Sequence, residues 1–292
     1  MHLTAHAKIN WTLAIVGQRA DGYHLLDSVM QSVWLGDSIE LYEADEVSLM
    51  LLGMSAVPPT ADNLVVRAAM RLKEATGLSR GVRIRLRKHT PVGAGMGGGS
   101  ADAAAVLVGL NRLYDLRLSD AELAELGVSI GADVPFCLQG GLARVGGIGE
   151  IIAPAPCAAP MELLIIQPCK GLSTPQVFAA YDALPTRPTN PDAQAALSAL
   201  ARGDARALAA SLGNAMQPAA IPFRPEIATC IQTLEHYGAL RAQMTGGGSA
   251  VIGLFASRRA ANGAYRACSR IWPRCFQTRT AARGVSVDLD AK

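Results

Sequence analysis

Gly93, Gly95, Gly97, Gly98 and Gly99, separated only by Ala94 and Met96, lead straight into Ser100 and an alanine-rich stretch ending near Tyr114. Glycine has no Cβ to stand between the backbone and a ligand. A helix N-terminus adds unpaired N–H groups and partial positive charge. Together they make a concave backbone nest suited to phosphate oxygens. Walker A does not fit, because no lysine follows the last glycine before Ser100. A dinucleotide fingerprint can be laid on Gly93, Gly95 and Gly98, but it belongs in the first βαβ unit of a chain, and several strand-like segments come earlier here. Ser100 is the expected N-cap of the helix, and its hydroxyl could also meet a phosphate or Mg²⁺. Asp102, in the first turn, fits a dipole partner.

Two charged residues stand in small or apolar surroundings. Asp133 lies in Gly131-Ala132-Asp133-Val134-Pro135-Phe136, and Lys8 lies between Ala7 and Ile9. An acid after a helix is ordinarily a cap or a turn residue. A carboxylate beside a cation can instead serve as a general base. A strand lysine is ordinarily a snorkelling edge residue, yet it can also be a point charge for a phosphate or an alkoxide. A further glycine triplet, Gly246-Gly247-Gly248, follows Thr245.

These residues need elements to hold them. Residues 4 to 13 alternate, with Thr4, His6, Lys8, Asn10 and Thr12 on one face and Ala5, Ala7, Ile9, Trp11 and Leu13 on the other. Period two predicts a half-buried strand with Lys8 and Asn10 on its polar face. Asp21-Gly22 marks a hairpin turn. Strands are predicted over 25–35 and 38–42, and a helix over 63–75 capped by Asp62 and closed by Gly77. Val82, Ile84 and Leu86 alternate with Arg83, Arg85 and Arg87 as another half-exposed strand. Ser119 and Glu122 form a capping box for a helix ending near Gly131. Strands over 142–145 and 163–166 flank the Pro/Ala-rich stretch 153–160, which predicts the boundary between two domains, 1–156 and 157–292. Beyond it the chain reads as helical to Tyr237, with Pro225 at a helix start. Strands to Thr245 and over 250–255, a helix over 258–271, and strands over 275–280 and 285–289 follow. The mixture is α+β.

With 292 residues, two domains are expected and the core is ample. Half the residues are hydrophobic and the net charge is +3, which excludes a disordered chain. No apolar run approaches ~20 residues, so no membrane partner is expected. Six cysteines show neither C-x-x-C spacing nor a nearby zinc-finger histidine, and free thiols in a reducing cytoplasm are expected. Only five of the 27 basic residues are lysine. Between Glu235 and Asp288 there are eight arginines and no acid, which is either a solvated basic face or a surface for an anion. A nucleic-acid partner is not expected, because Tyr265, Trp272 and Phe276 make no stacking array.

The glycine loop without a Walker lysine, together with Thr245-Gly246-Gly247-Gly248-Ser249, resembles the GHMP small-molecule kinases. Four ordered segments are similar to the members that act on a cytidine diphosphate-linked methylerythritol in non-mevalonate isoprenoid biosynthesis. These are Ala7-Lys8-Ile9-Asn10, Asp21-Gly22-Tyr23-His24-Leu25 with Gln31, Pro91 to Ala104, and Gly131 to Phe136. The order fits over essentially the whole chain, and Gly22-Tyr23-His24 is its most discriminating part. Two positions depart from the pattern: Gln217, where Glu is expected, and Gly247, where Ser is commoner.

The resemblance implies the two-domain GHMP kinase fold, with a ribosomal-protein-S5-like N-terminal domain and a ferredoxin-like C-terminal domain. It implies an ATP-dependent kinase that phosphorylates a hydroxyl of that compound, as a monomer or homodimer. Asp133 would be the base and Lys8 its partner. ATP, with Mg²⁺ whose protein ligands are unknown, would sit on Pro91, Val92, Gly93, Ala94, Gly95, Met96, Gly97, Gly98, Gly99, Ser100 and Ala101. Tyr23 and Phe178 would stack on the cytosine, with Tyr181 as the alternative to Phe178. His24 and Asn10 would hydrogen-bond to it, and Gly246 and Gly247 would meet the diphosphate. Another GHMP small-molecule kinase, or a nucleotide-binding regulator without activity, is the alternative.

Overall fold

The computed structural model describes residues 1–53, 60 and 62–288. Two long strands, β1 (His2–Gln18) and β2 (His24–Ala44), form an antiparallel hairpin, and Gly22 turns at φ 89° between them. The expected strands 25–35 and 38–42 are thus one continuous strand. Next come β3 (Ser48–Leu52), α1 (Leu64–Thr76) and β4 (Gly81–Arg87), and then α2 (Gly98–Leu113), α3 (Asp120–Ile130) and α4 (Val134–Gln139). Strands β5 (Leu142–Gly147) and β6 (Ile151–Ala155) pair with each other, and β5 also pairs with β2. Pro154 therefore lies in a strand rather than a linker. It is tolerated because, among the described residues, β6 pairs with β5 alone and is an edge.

The second half holds β7 (Glu162–Ile166), α5 (Thr174–Asp182), α6 (Ala193–Arg202), α7 (Ala205–Ser211), the two-residue β8 (Gly213–Asn214) and α8 (Gln217–Ala220). After these come α9 (Glu226–His236), β9 (Arg241–Met244), β10 (Val251–Phe255), α10 (Arg258–Ile271), β11 (Cys275–Arg279) and β12 (Val285–Asp288). Leu289, the expected end of the last strand, lies outside the described residues. The second sheet has the order β11-β7-β10-β9, antiparallel throughout, as a ferredoxin-like βαββαβ unit requires. The first sheet runs β12-β1-β2-β4-β3, so the chain's last described strand returns to pair with its first.

Some caps differ from expectation. Asn63, not Asp62, caps α1, its side chain accepting from Val65 N, and Gly77 closes the helix at φ 68°. The capping box of Ser119 and Glu122 is present. Gly97, in the left-handed region at φ 65°, takes the N-cap position of α2, and Ser100 lies inside the helix.

Strand β1 was expected to be half-exposed, but His6, Lys8, Asn10 and Thr12 are all buried. The reason is tertiary: Gly97 and Asp133 lie against Lys8, Thr245 against Asn10 and Ser286 against His6, and the apolar face is covered as well. Leu3 and Ala5 pack under α1 and α2 in one core, whereas Ala7, Ile9 and Trp11 pack on Leu163, Ile165, Ile252 and Leu254 of the second sheet. The other face of that sheet, with Leu164 and Ile166, is covered by α5, α9 and α10. Lys8 is therefore on an interior strand, not an edge.

Candidate active site

Lys8 and Asp133 come from opposite ends of the first half. Strand β1 is bulged on both sides of Lys8 and Asn10, with register shifts between His6 and Lys8 and between Asn10 and Thr12. Gln243 of β9 bonds the Asn10 and Trp11 carbonyls (3.2 and 2.9 Å), so the second half props the bulge. Trp11 Nε1 donates to Gln31 Oε1 (2.7 Å), which explains Gln31 as a structural partner. Asp133 occupies the N-cap position of α4 but makes no capping hydrogen bond. Its carboxylate instead meets Lys8 Nζ at 3.4 Å.

Asn10 is tied into the site at three points. Its Oδ1 accepts from Lys8 Nζ (3.1 Å), its Nδ2 donates to Ser28 Oγ (2.8 Å), and its backbone N–H donates to Thr245 Oγ1 (2.9 Å). It therefore holds Lys8, while one N–H of its amide has no partner among the described residues and Asn10 lines the larger cavity.

The glycine loop crosses directly above this pair. Lys8 N donates to Met96 O (3.0 Å). A Cβ on Gly97 would lie 3.0 Å from Lys8 Cγ and 3.4 Å from Asp133 Oδ2. The loop separates two cavities. The larger, ≈ 870 Å³, is lined by Lys8, Asp133, Tyr23, His24, Phe178, Gly246 and Gly247 among others. The smaller, ≈ 370 Å³, is lined by Pro91 to Ser100 and by Asn63, Lys88 and Asp102. Gly95, Gly97 and Ser100 line both, so the cavities meet at the start of α2, beside Lys8 and Asp133. Ala101 lines neither. Its N–H donates to Gly97 O (2.8 Å) and its methyl is buried, so the open amides end at Ser100.

The third glycine tract supports the first. A Cβ on Gly95 would lie 2.5 Å from Thr245 O and 2.9 Å from Gly248 N, and one on Gly246 would overlap the Gly95 carbonyl. Ala250 N donates to Ala94 O (3.1 Å). Asn214, missed in the sequence, donates from Nδ2 to Met244 O and Gly246 O (2.8 and 2.9 Å). Gln217 Oε1 accepts from Met244 N at 2.8 Å, a bond that a glutamate would make equally well. The second glycine tract serves packing, because a Cβ on Gly140 would overlap the backbone of Gly284.

At the far end of the larger cavity, the His24 and Phe178 rings stack at 4.5 Å with 8° between planes. Tyr181 is buried, so Phe178 is the aromatic that reaches the cavity. Tyr23 is 60% exposed at the rim, free to close on a ring. His24 Nε2 meets Asp182 Oδ1 at 2.9 Å, a partner that no local motif signals.

Asp102 is not the dipole partner expected from its position. It is buried, with Oδ2 2.6 Å from Lys88 Nζ, and Lys88 also reaches Asp37 Oδ2 at 2.5 Å. Burial, then the nearby Asp37 charge, outweigh Lys88 and push the Asp102 carboxyl well above the ordinary range. Burial opposes the Lys88 charge, but the Asp102 and Asp37 carboxylates overcome it and raise its pKa. No cluster of three or more His, Cys, Asp or Glu suited to a metal occurs among the described residues.

The chain belongs to the GHMP kinase family. The model for the GHMP kinases N terminal domain matches residues 63–141, and the GHMP kinases C terminal model matches 196–274. Within the family it is similar to 4-diphosphocytidyl-2-C-methyl-D-erythritol kinase of Symbiobacterium thermophilum, 45% identical over 260 residues, which are 89% of this chain and 92% of that one. The enzyme of the same name from Pelotomaculum thermopropionicum is 44% identical over 88% of this chain and 90% of its own. A crystal structure of 4-(cytidine 5'-diphospho)-2C-methyl-D-erythritol kinase superposes with TM-score 0.83 at 33% identity, covering 96% of this chain and 99% of that one. A homoserine kinase from Cytophaga hutchinsonii shares the fold, with TM-score 0.76 at 19% identity over 99% of this chain and 97% of that one.

Proposed function

We propose that this protein is an ATP-dependent kinase that phosphorylates the 2-hydroxyl of 4-diphosphocytidyl-2-C-methyl-D-erythritol, in non-mevalonate isoprenoid precursor biosynthesis. The observation that carries the reading is the Lys8–Asp133 pair at the junction of two cavities. ATP occupies the smaller cavity, its phosphates on the open amides of 93–100. The acceptor occupies the larger one, its cytosine at the Tyr23, His24 and Phe178 end and its diphosphate at Gly246 and Gly247.

Asp133 Oδ2 takes the proton of the acceptor hydroxyl. The alkoxide oxygen bonds to the γ-phosphorus, the bond to the β–γ bridging oxygen breaks, and ADP leaves with that electron pair. Lys8 Nζ, held by Asn10, stabilises the charge on the alkoxide oxygen. Transfer of this kind needs chiefly positioning and charge stabilisation, which so small a set supplies.

Mg²⁺ would neutralise phosphate charge when bound. The residues present fit it, because Mg²⁺ keeps waters and takes one or two protein oxygens plus phosphates. Asp133 and Ser100, the latter with no hydrogen-bond partner for its hydroxyl among the described residues, are the oxygens in place.

Six unpaired cysteines suit a reducing compartment, and we place the enzyme in the cytoplasm. Among the described residues no helix is long and apolar enough to cross a membrane. We divide the chain at 156/157, with 285–288 returning to the first sheet. The test is ADP release with the cytidyl compound against mevalonate and homoserine. Turnover with the cytidyl compound alone supports the reading, and equal or absent turnover with it defeats the reading.

A further inference from the structure

His24 opens β2 in the first half of the chain, and Asp182 ends α5 in the second. Their side chains meet at 2.9 Å across the larger cavity's wall. Asp182 is itself oriented: Arg187 Nη1 donates to its Oδ1 (3.2 Å) and Arg187 Nη2 to its backbone carbonyl (3.5 Å). The Arg187 guanidinium is fixed in turn over the Tyr181 ring, 4.3 Å from its centroid. Phe178 fixes the plane of the His24 ring by stacking, and Tyr181 meets its edge at 6.3 Å. His24 is thus held in plane, in rotation and at one nitrogen, whereas its Nδ1 has no partner among the described residues.

We infer that Asp182 is a positioning residue that locks His24 with its proton on Nε2, so that Nδ1 offers a lone pair to the 4-amino group of cytosine and repels the 4-carbonyl of uracil. The step rests on the function proposed above. An ionised carboxylate only accepts hydrogen bonds, so the nitrogen facing it must carry the hydrogen. The hydrogen bond from His24 holds the Asp182 carboxyl below the usual carboxylate range, against a small opposing effect of burial and with help from Arg187, so it is ionised at neutral pH. Neutral imidazole has one donor and one acceptor, which leaves Nδ1 as the acceptor. Cytosine puts a donor on C4 and uracil an acceptor, so a locked acceptor at that point discriminates between the two pyrimidines.

The experiment compares steady-state kinetics on the cytidine- and uridine-diphosphate-linked methylerythritols for wild type, Asp182→Asn and Asp182→Glu. The ring-nitrogen NMR shifts of His24 are recorded alongside. Asp182→Asn is expected to raise KM for the cytidyl compound about tenfold, the scale of one lost hydrogen bond, with kcat held. KM for the uridyl compound is expected to fall, because a ring protonated on Nδ1 donates to its 4-carbonyl, so the preference narrows. Asp182→Glu restores part of it. The His24 shifts should report an Nε2-protonated ring in wild type and a tautomer mixture in Asp182→Asn. An equal loss on both substrates, or an Nδ1-protonated ring in wild type, overturns the inference. Wild-type turnover of the cytidyl compound with unchanged preference in Asp182→Asn defeats this inference alone. No wild-type turnover of that compound defeats the proposed function and this inference together.

Discussion

Lys8 Nζ lies 3.4 Å from Asp133 Oδ2, directly beneath the backbone of Gly97. The lysine is buried on an interior strand, whereas the carboxylate is about a third exposed into the larger cavity. A buried cation beside a reachable carboxylate lets the carboxylate meet a hydroxyl while its charge stays compensated.

Asp133→Asn keeps the size of the side chain and removes the proton acceptor. Its kcat is expected to fall about 10²–10⁴-fold with ATP affinity retained. Steady-state rates and equilibrium nucleotide binding check this. A near-wild-type rate would return Asp133 to a purely structural role.

Gly97 and Gly77 share nearly the same backbone angle, φ 65° and 68°, but only Gly97 has neighbours in the way. Alanine at either position carries the left-handed penalty of ~1–2 kcal/mol. Gly97→Ala must also displace Lys8, so its kcat is expected to fall at least about tenfold, since ~1.4 kcal/mol of misplacement already does that. Gly77→Ala should lose similar stability in urea unfolding with kcat unchanged.

Lys88 ties β2, through Asp37, to α2, through Asp102, beneath the smaller cavity. Lys88→Met leaves two buried carboxyls without a cation and is expected to cost about 3–5 kcal/mol in urea unfolding. Asp102→Asn should cost less, because Asp102 is the carboxyl held towards its neutral form. A group whose folded pKa is raised stabilises the fold below its unfolded pKa and loses that contribution as pH rises through the folded value. The stability of wild type relative to Asp102→Asn should therefore decline as pH rises from ~4. A difference that grows with pH would contradict this. Lys88, with its own pKa raised, keeps its contribution until pH passes its ordinary value.

Asn214 joins the Met244 and Gly246 carbonyls and accepts from Met216 N (2.9 Å). Asn214→Ala is expected to cost about 1–3 kcal/mol for the buried groups it leaves unpaired. It should also raise KM for the acceptor more than for ATP, because Gly246 lines the larger cavity, proposed above for the acceptor. An equal rise in both would contradict the placement.

Much of the arrangement was legible locally. The glycine tract of 93–99 indicates a helix start, and the alternation of 4–13 indicates β1. The caps were less so: Ser100 carries the right hydroxyl, yet Gly97 at positive φ starts the helix a turn earlier. The β1 polar face could not be recognised as buried, because what lies against it, Gly97 and Asp133 on Lys8 and Thr245 on Asn10, comes from far along the chain.

The sequence by itself determined the fold class, the glycine loop that opens α2 and the two isolated charges Lys8 and Asp133, because short-range periodicity and residue chemistry encode these directly. The tertiary structure alone decided that Lys8 is buried against Asp133, that His24 meets Asp182 and that Asn214 ties the third glycine tract. These are contacts between residues well apart in sequence, set by how the elements pack, and no local pattern carries that information.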